Sequence, residues 1–231
     1  MNNLGLPILY SFRRCPYAMR ARIALYYSGV QCQLREVVLK SKPDALLAVS
    51  PKATVPVLVL NQQTSSPVKV IDESIEIIEW ALNQSDPDGW LSDHTVSDDL
   101  IIECDTEFKS WLDRYKYFDR YPENSQSFYF EKGLEFLTKL ESLFTQHTSS
   151  SDSKAVFLKT NKRSVLDIAI FPFVRQFAFV DKNRFDQLEL PKLHSWLTAH
   201  LESKLFSSVM TKYDQWIEGE SNEIIFGANT N

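Results

Sequence analysis

Short apolar runs and helical patterns alternate over the first third of the chain. Residues 6–12 predict a strand, a helix of about three turns begins at Pro16 and ends before Gly29, and residues 31–39 predict a second strand. Because a helix separates these two strands, we expect them to be parallel. A short helix over residues 43–49, a hairpin of strands 55–60 and 68–71 with its turn at 61–67, and a helix that begins at residues 72–74 follow. Residues 1–83 therefore predict an α/β domain with the element order βαβαββα.

Strand signals become rare after this region. Turn-forming residues follow residue 83, so we assign residues 84–93 to a linker. Helical spacing then recurs at residues 100–117, 128–144, 165–180 and 193–213, and residues 148–153 predict a serine-rich, solvated loop. Ser164 and Asp167 have the spacing of a capping box at the start of the third of these helices. The pattern predicts an all-α domain over residues 94–231.

Composition and charge narrow the classes of function. The chain has 231 residues, of which 44% are hydrophobic, and this is enough for a core in two modest domains. Its net charge is −5 and it has no basic run, which argues against nucleic acid as a partner. The longest apolar stretches are far shorter than the roughly 20 residues that cross a bilayer, so we expect no membrane association. We recognise no signal peptide and expect a cytoplasmic location.

Several kinds of active site are also disfavoured. The six glycines form neither a G-x-G-x-x-G nor a G-x-x-x-x-G-K-[ST] motif, so we expect no nucleotide cofactor. The four histidines are far apart or poorly spaced and have no cysteine pair beside them, so we expect no metal. The three cysteines form no C-x-x-C pair and are odd in number, which leaves at least one free thiol.

The strongest local signal for chemistry is the segment Arg13-Arg14-Cys15-Pro16-Tyr17. It places a thiol where the first strand ends and the first helix begins. Unpaired N–H groups and cations at such a position lower the pKa of a cysteine from about 8.5 to between roughly 3.5 and 7.5, and the thiolate is the nucleophilic form. We therefore predict that Cys15 is a catalytic nucleophile. The alternative is a buried, unreactive cysteine, because free cysteine is among the most buried residue types.

Together with this segment, three further motifs resemble the glutathione transferases, and within them the cysteine-type, omega-like members. The four motifs, in the order and spacing of that family, are Cys15-Pro16-Tyr17, Lys42-Pro43, Val55-Pro56 and Asp72-Glu73-Ser74. The all-α second region extends the resemblance to nearly the whole chain. It implies a thioredoxin-like, glutathione-binding domain at residues 1–83 and an all-helical domain at residues 94–231. It also implies glutathione as co-substrate and favours a homodimer.

The resemblance implies a role for each motif. Val55 would pair its backbone N–H and C=O with the peptide part of glutathione, beside a cis bond to Pro56. Glu73 and Ser74 would bind the charged γ-glutamyl end, and Lys42 would bind the glycyl carboxylate. Without the resemblance, Pro56 is an ordinary proline at a strand start. Plain helix capping then explains Glu73 and Ser74 as well as ligand binding does, and the alternative for Lys42 is a solvated surface lysine.

Two features concern the acceptor substrate. Ala18 stands where dithiol glutaredoxins have a second cysteine, so monothiol chemistry is implied. Aromatic residues, among them Tyr17, Trp111 and Tyr115, are candidates to line an acceptor pocket near Cys15. Aromatic residues at helical spacing are more often part of a core, and both interpretations stay open.

The sequence therefore predicts a glutathione-dependent thiol transferase in which the Cys15 thiolate attacks a mixed disulfide or an electrophilic carbon. One alternative is an enzyme that conjugates glutathione to electrophiles while Cys15 only contacts the glutathione. Another is a non-enzymatic, glutathione-binding regulatory protein, and the intact Cys15 argues against it. No motif identifies the acceptor, whether a small molecule or a protein disulfide.

Overall fold

The chain divides into two compact units. The computed structural model describes residues 5–60, 68–147, 157–160, 162–220 and 223–227. One unit comprises Met1–Asp88 together with Lys204–Asn231, and the other comprises Gly89–Ser203. The predicted hairpin turn at 61–67 and the predicted serine-rich loop at 148–153 lie outside the described residues.

A five-stranded sheet organises the first unit. Its strands are β1 (Ile8–Ser11), β2 (Cys32–Glu36), β3 (Val57–Leu60), β4 (Lys69–Ile71) and β5 (Ile224–Phe226). They lie in the order β4-β3-β1-β2-β5. Strands β1 and β2 are parallel, and Ser11 at the end of β1 is opposite Glu36 at the end of β2. The other three pairs are antiparallel, including the predicted hairpin of β3 and β4.

Three helices complete the predicted order in this unit. They are α1 (Pro16–Tyr27), α2 (Asp44–Val49) and α3 (Ser74–Gln84), and α1 packs against α3. Pro16 begins α1, where its missing N–H leaves no helical bond unmade. Gly29 follows the helix with φ +66°, a conformation that glycine adopts without steric cost. The order βαβαββα and the thioredoxin-like fold class are thereby confirmed.

One hydrophobic cluster of the first unit supports the segment around Val55. Its buried members are Ile8, Tyr10, Val37, Leu46, Val55, Val57 and Val59, drawn from β1, β3, α2 and the connecting segments. Because Val55 belongs to this cluster, the backbone before Pro56 is anchored by core packing.

The second unit is helical, as predicted. Its α-helices are α4 (Asp99–Glu103), α5 (Lys109–Lys116), α6 (Gln126–His147), α7 (Val165–Ala178), α8 (Lys182–Asp186) and α9 (Pro191–Leu201). A π-helical turn, Cys104–Phe108, joins α4 to α5, so the predicted helix at residues 100–117 is continuous but not uniformly α-helical. The Asp167 carboxylate accepts the Ser164 N–H at 2.8 Å at the start of α7, which confirms the predicted capping interaction.

The structure departs from the predicted boundaries at the C-terminal end. The helix predicted over residues 193–213 is interrupted after α9, and the next helix, α10 (Lys204–Val209), packs on α1 of the first unit. Strand β5 then joins the edge of β2, so the chain beyond Ser203 belongs to the sheet-containing unit. Three residues are too few for a recognisable strand pattern, and only pairing with β2 makes them a strand. Within the described residues, no helix is both long and apolar enough to cross a membrane.

Candidate active site

Cys15 lies at the junction of β1 and α1. The turn between them closes with a hydrogen bond from the Cys15 N–H to Phe12 O at 2.9 Å. The Cys15 carbonyl accepts the Met19 N–H at 2.9 Å and so begins the helical bonding of α1. The half-buried side chain places Sγ 3.6 Å from Val55 O. The thiol is therefore next to the N-terminus of α1, as the sequence predicts.

A cavity of about 560 Å³ opens beside this thiol. It brings together the seven predicted residues of the first unit: Cys15, Tyr17, Lys42, Val55, Pro56, Glu73 and Ser74. Five further residues that sequence reasoning did not assign complete its lining: Leu39, Lys52, Ala53, Thr54 and Asp72. Residues separated by some sixty positions along the chain thus share one surface.

The segment before β3 forms one wall of the cavity. The Val55–Pro56 peptide bond is cis, as the resemblance implies. Ala53, two residues earlier, has φ +52°, an uncommon conformation for a residue other than glycine. This backbone, anchored by the buried Val55 side chain, is the part of the site suited to pair with a peptide-like ligand.

The N-terminus of α3 forms another part of the cavity lining. Glu73 is the residue that precedes the helix, and Ser74 is its first residue. Ser74 is 5% exposed, and its Oγ accepts a hydrogen bond from Nη1 of the buried Arg20 at 3.5 Å. Unpaired N–H groups at a helix N-terminus favour an anionic ligand. The exposed Glu73 carboxylate would balance a cation at the same place.

Lys52 is the charged residue at this wall that the sequence analysis missed. Its Nζ lies 2.5 Å from Glu73 Oε1 and 3.1 Å from Asp72 Oδ1. Hydrogen bonds to Glu73 and Asp72 raise the pKa of the Lys52 ammonium. The sequence signal was its place between the Lys42-Pro43 and Val55-Pro56 motifs, three residues before Val55. The Glu73 carboxylate is thus paired with the Lys52 ammonium.

The other two cysteines are in different surroundings. Cys32 on β2 is fully buried, and burial raises the pKa of its thiol to about 12. Cys104 in the π-helical turn is also fully buried. None of the three cysteines forms a disulfide bond. Of the three cysteines, Cys15 is thus the one that lines the cavity described above.

The aromatic candidates of the helical unit are placed as follows. Tyr115 is 1% exposed, and its ring centroid is 5.4 Å from that of Phe130 and 4.9 Å from that of Phe177. Trp111 is half-buried and packs near the Tyr129 ring. Tyr115 is thus part of the aromatic core of its own unit, whereas an acceptor role for Trp111 stays a prediction. Within the described residues, no group of three or more His, Cys, Asp or Glu side chains is arranged to hold a metal ion.

The fold of the first unit and the cavity beside Cys15 define a domain of the glutathione transferase type. Residues 9–89 match the family model described as "Glutathione S-transferase, N-terminal domain". Glutathione S-transferase omega-1 of Sus scrofa is 25% identical to the chain over 213 residues, covering 89% of this chain and 80% of that protein.

Solved structures share the fold. A glutathione transferase family member from Pseudomonas fluorescens with two glutathione bound has a TM-score of 0.72 at 15% identity, covering 91% of this chain and 94% of that chain. Glutathione transferase Omega 2C from Trametes versicolor has a TM-score of 0.69 at 17% identity, covering 89% and 93%. Residues 9–89 thus carry the N-terminal domain of glutathione S-transferases, and the chain as a whole is similar to omega-class glutathione transferases.

Proposed function

We propose that this enzyme is a glutathione-dependent thiol transferase with Cys15 as its nucleophile. The observation that carries the proposal is that the Cys15 thiol shares one cavity with Lys42, Val55, Glu73 and Ser74. A nucleophile must lie beside the groups that bind its substrate, because correct placement supplies much of the rate.

The donors and acceptors of the cavity fit glutathione. Lys42 supplies a cation for the glycyl carboxylate, and the Val55 backbone, set before Pro56, supplies a partner for the central peptide group. At the N-terminus of α3, Glu73 accepts the α-ammonium, while the Ser74 hydroxyl and the backbone N–H groups of the first turn bind the α-carboxylate. We propose the same set of residues as the glutathione-binding site.

The chemistry proceeds through one mixed disulfide. The Cys15 thiolate attacks the glutathione sulfur of a glutathionylated substrate, the S–S bond breaks, and the substrate thiolate leaves and takes a proton from water. The Cys15 sulfur, now bonded to glutathione, is released when the thiolate of a second glutathione attacks the glutathione sulfur and forms glutathione disulfide. Ala18 follows Tyr17 in place of a second cysteine, so glutathione resolves this intermediate.

The remaining parts of the proposal concern partners and location. We propose that the acceptor is a small-molecule or protein mixed disulfide and that the chain forms a homodimer, which sedimentation velocity measures directly. Three cysteines without a disulfide bond among them suit a reducing compartment, and a cytoplasmic location is part of the proposal.

The test replaces Cys15 with serine. A hydroxyl has similar size but is a far weaker nucleophile at neutral pH, so reduction of a glutathionylated peptide should nearly vanish. Conjugation of glutathione to an aryl halide should survive, because a hydroxyl can stabilise bound glutathione thiolate. Full disulfide reduction by the variant, or efficient aryl halide conjugation by a wild type that ignores disulfides, contradicts thiol transfer. Inactivity in both assays with glutathione still bound supports the regulatory alternative.

A further inference from the structure

A buried charge network lies next to the turn that carries Cys15, and the proposed mechanism does not use it. Glu36 is the last residue of β2 and is buried. Its Oε1 accepts the backbone N–H of Arg13 at 2.7 Å. Its Oε2 lies 3.4 Å from Nη1 of Arg22 on α1, a side chain that is 0% exposed.

The bond to the Arg13 N–H fixes the middle of the Cys15 turn. This turn runs from Phe12 to Cys15, and the Cys15 N–H to Phe12 O bond closes it. That closing bond does not involve the amide of Arg13, the second residue of the turn. Glu36 reaches this amide because it is opposite Ser11, the last residue of β1, in the parallel pair. The orientation of the turn therefore depends on a side chain of the neighbouring strand.

Residues 210–216, which follow α10, pack against the same network. They contact each of the three charged residues. Arg13 Nη1 donates a hydrogen bond to Met210 O at 3.4 Å. The Arg22 guanidinium lies 5.7 Å from the centroid of the Tyr213 ring. The Trp216 N–H donates to the backbone oxygen of Glu36 at 2.9 Å. These contacts hold the Glu36 backbone and the two arginine side chains in place around the carboxylate.

The electrostatics make the network sensitive to substitution. Burial raises the pKa of Glu36, and the Arg13 N–H and the Arg22 cation oppose that effect. The Nε and Nη2 atoms of Arg22 are buried, and no described residue accepts a hydrogen bond from either of them. Loss of Glu36 alone would leave a buried cation without its counter-ion, which is strongly destabilising. A useful experiment must therefore separate the ion pair from the bond to Arg13.

We infer that Glu36 is a positioning residue for Cys15: by accepting the Arg13 N–H, its side chain holds the turn that points Sγ into the cavity. The kinetic part of this inference rests on the proposed thiol transfer, while the part on the reactivity of Cys15 does not. Glutathione binding is not affected directly, because Lys42, Val55, Glu73 and Ser74 lie on other segments.

Two double variants test the inference. Arg22→Met with Glu36→Gln and Arg22→Met with Glu36→Leu both remove the ion pair, so neither leaves a buried unpaired charge. They differ in one respect, because the Gln amide oxygen still accepts the Arg13 N–H and the Leu side chain cannot. If the Leu variant does not fold, Arg22→Met with Glu36→Asn replaces it, since Asn is one methylene too short to reach the amide. Circular dichroism and thermal unfolding show which variants are folded, and only folded variants are compared.

Two readouts are measured on each folded variant. The first is the rate of Cys15 alkylation by iodoacetamide at one fixed pH, located by mass spectrometry. The second is kcat and KM for reduction of a glutathionylated peptide. A displacement of about 1 Å at a reacting group costs on the order of 100-fold in rate. We expect the variant that lacks the acceptor to lose about 10- to 100-fold in kcat and to be alkylated more slowly, with little change in KM for glutathione.

The outcomes separate the inference from the proposed function. Near wild-type rates in the Gln variant, with slow reaction in the Leu or Asn variant, support positioning by Glu36. Equal rates in the two members of the pair, or a change confined to KM, overturn it. If the wild type does not reduce mixed disulfides, the proposed function fails, and the alkylation rates still decide the role of Glu36.

Discussion

Among the described residues, each unit of the molecule has one carboxylate that is buried in a polar network, and the two networks are built differently. In the helical unit, Asp167 accepts four hydrogen bonds from neutral donors: Ser164 N–H at 2.8 Å, Ser164 Oγ at 3.1 Å, Leu158 N–H at 3.0 Å and Trp196 Nε1 at 2.8 Å. In the sheet unit, Glu36 accepts one backbone N–H and faces the buried cation of Arg22.

The difference lies in what each carboxylate connects. The donors to Asp167 join the start of α7 to α9 and to the segment before α7, and none of them lines the cavity beside Cys15. Glu36 instead connects the end of β2 to the Cys15 turn. We therefore expect substitution of Asp167 to change the stability of the enzyme, and substitution of residues around the cavity to change its binding and reactivity.

Among the substitutions that test this difference between the two networks, we expect Asp167→Ala to have the largest effect, on the free energy of unfolding. The substitution leaves buried donors of Leu158, Ser164 and Trp196 without an acceptor, and each such group costs about 1–3 kcal/mol. We expect the free energy of unfolding to fall by about 3 kcal/mol or more in urea titrations. Asp167→Asn, which keeps an acceptor oxygen, is the control and should lose less. Unchanged stability together with a loss of activity per folded molecule would contradict the expectation that Asp167 acts on stability.

A smaller effect is expected at the N-terminus of α3. Glu73→Ala removes a charged contact to bound glutathione, which corresponds to about 1.5–3 kcal/mol of binding free energy. Isothermal titration calorimetry with glutathione measures this loss, and Ser74→Ala should weaken binding in the same assay. Glu76→Ala is the matched control, because Glu76 is an exposed residue of the same helix turn outside the cavity. Unchanged affinity with a lower melting temperature would assign Glu73 and Ser74 to helix capping only.

The smallest effect is a pH dependence in the helical unit. His200 is buried with its ring 4.8 Å from that of Phe171, and burial lowers its pKa below the ordinary 6.5, although the nearby Asp167 carboxylate opposes this. Below pH 6.5, His200 therefore binds a proton more readily in the unfolded chain than in the folded one. Stability conferred by neutral His200 is complete above that pH and is lost as the pH falls toward the lower, folded-state pKa.

His200→Gln removes this titration. We expect the melting temperature of the variant to change less than that of the wild type between about pH 7.5 and about pH 5.5, since one proton contributes at most about 1.4 kcal/mol per pH unit. His194→Gln serves as the control, because it replaces a second histidine of the same helix. The ring of His194 lies elsewhere, with Nε2 bonded to Leu188 O at 3.0 Å. An acid sensitivity equal to that of the wild type would show that His200 does not cause it.

Local patterns were sufficient for most elements and for part of the cavity. Pro16 and Gly29 mark the limits of α1, and Ser164 with Asp167 marks the start of α7, because these signals act over a few residues of one segment. Lys52 was missed since nothing in a single lysine shows which carboxylates will surround it. Tyr115 is a different case, because its helical spacing favoured a core position but left a pocket position open until its neighbours were known.

The order βαβαββα, the helical character of the second region and the position of a thiol at a helix start were thus all present in the order of residues along the chain. The partner of the Arg13 N–H, the burial of Arg22, the addition of β5 to the sheet and the meeting of Lys42 with Glu73 in one cavity required the folded molecule. The physical reason is the range of the interactions. Capping, turn geometry and amphipathic periodicity depend on near neighbours, whereas strand pairing, burial of charge and cavity lining depend on residues that only the tertiary structure brings together.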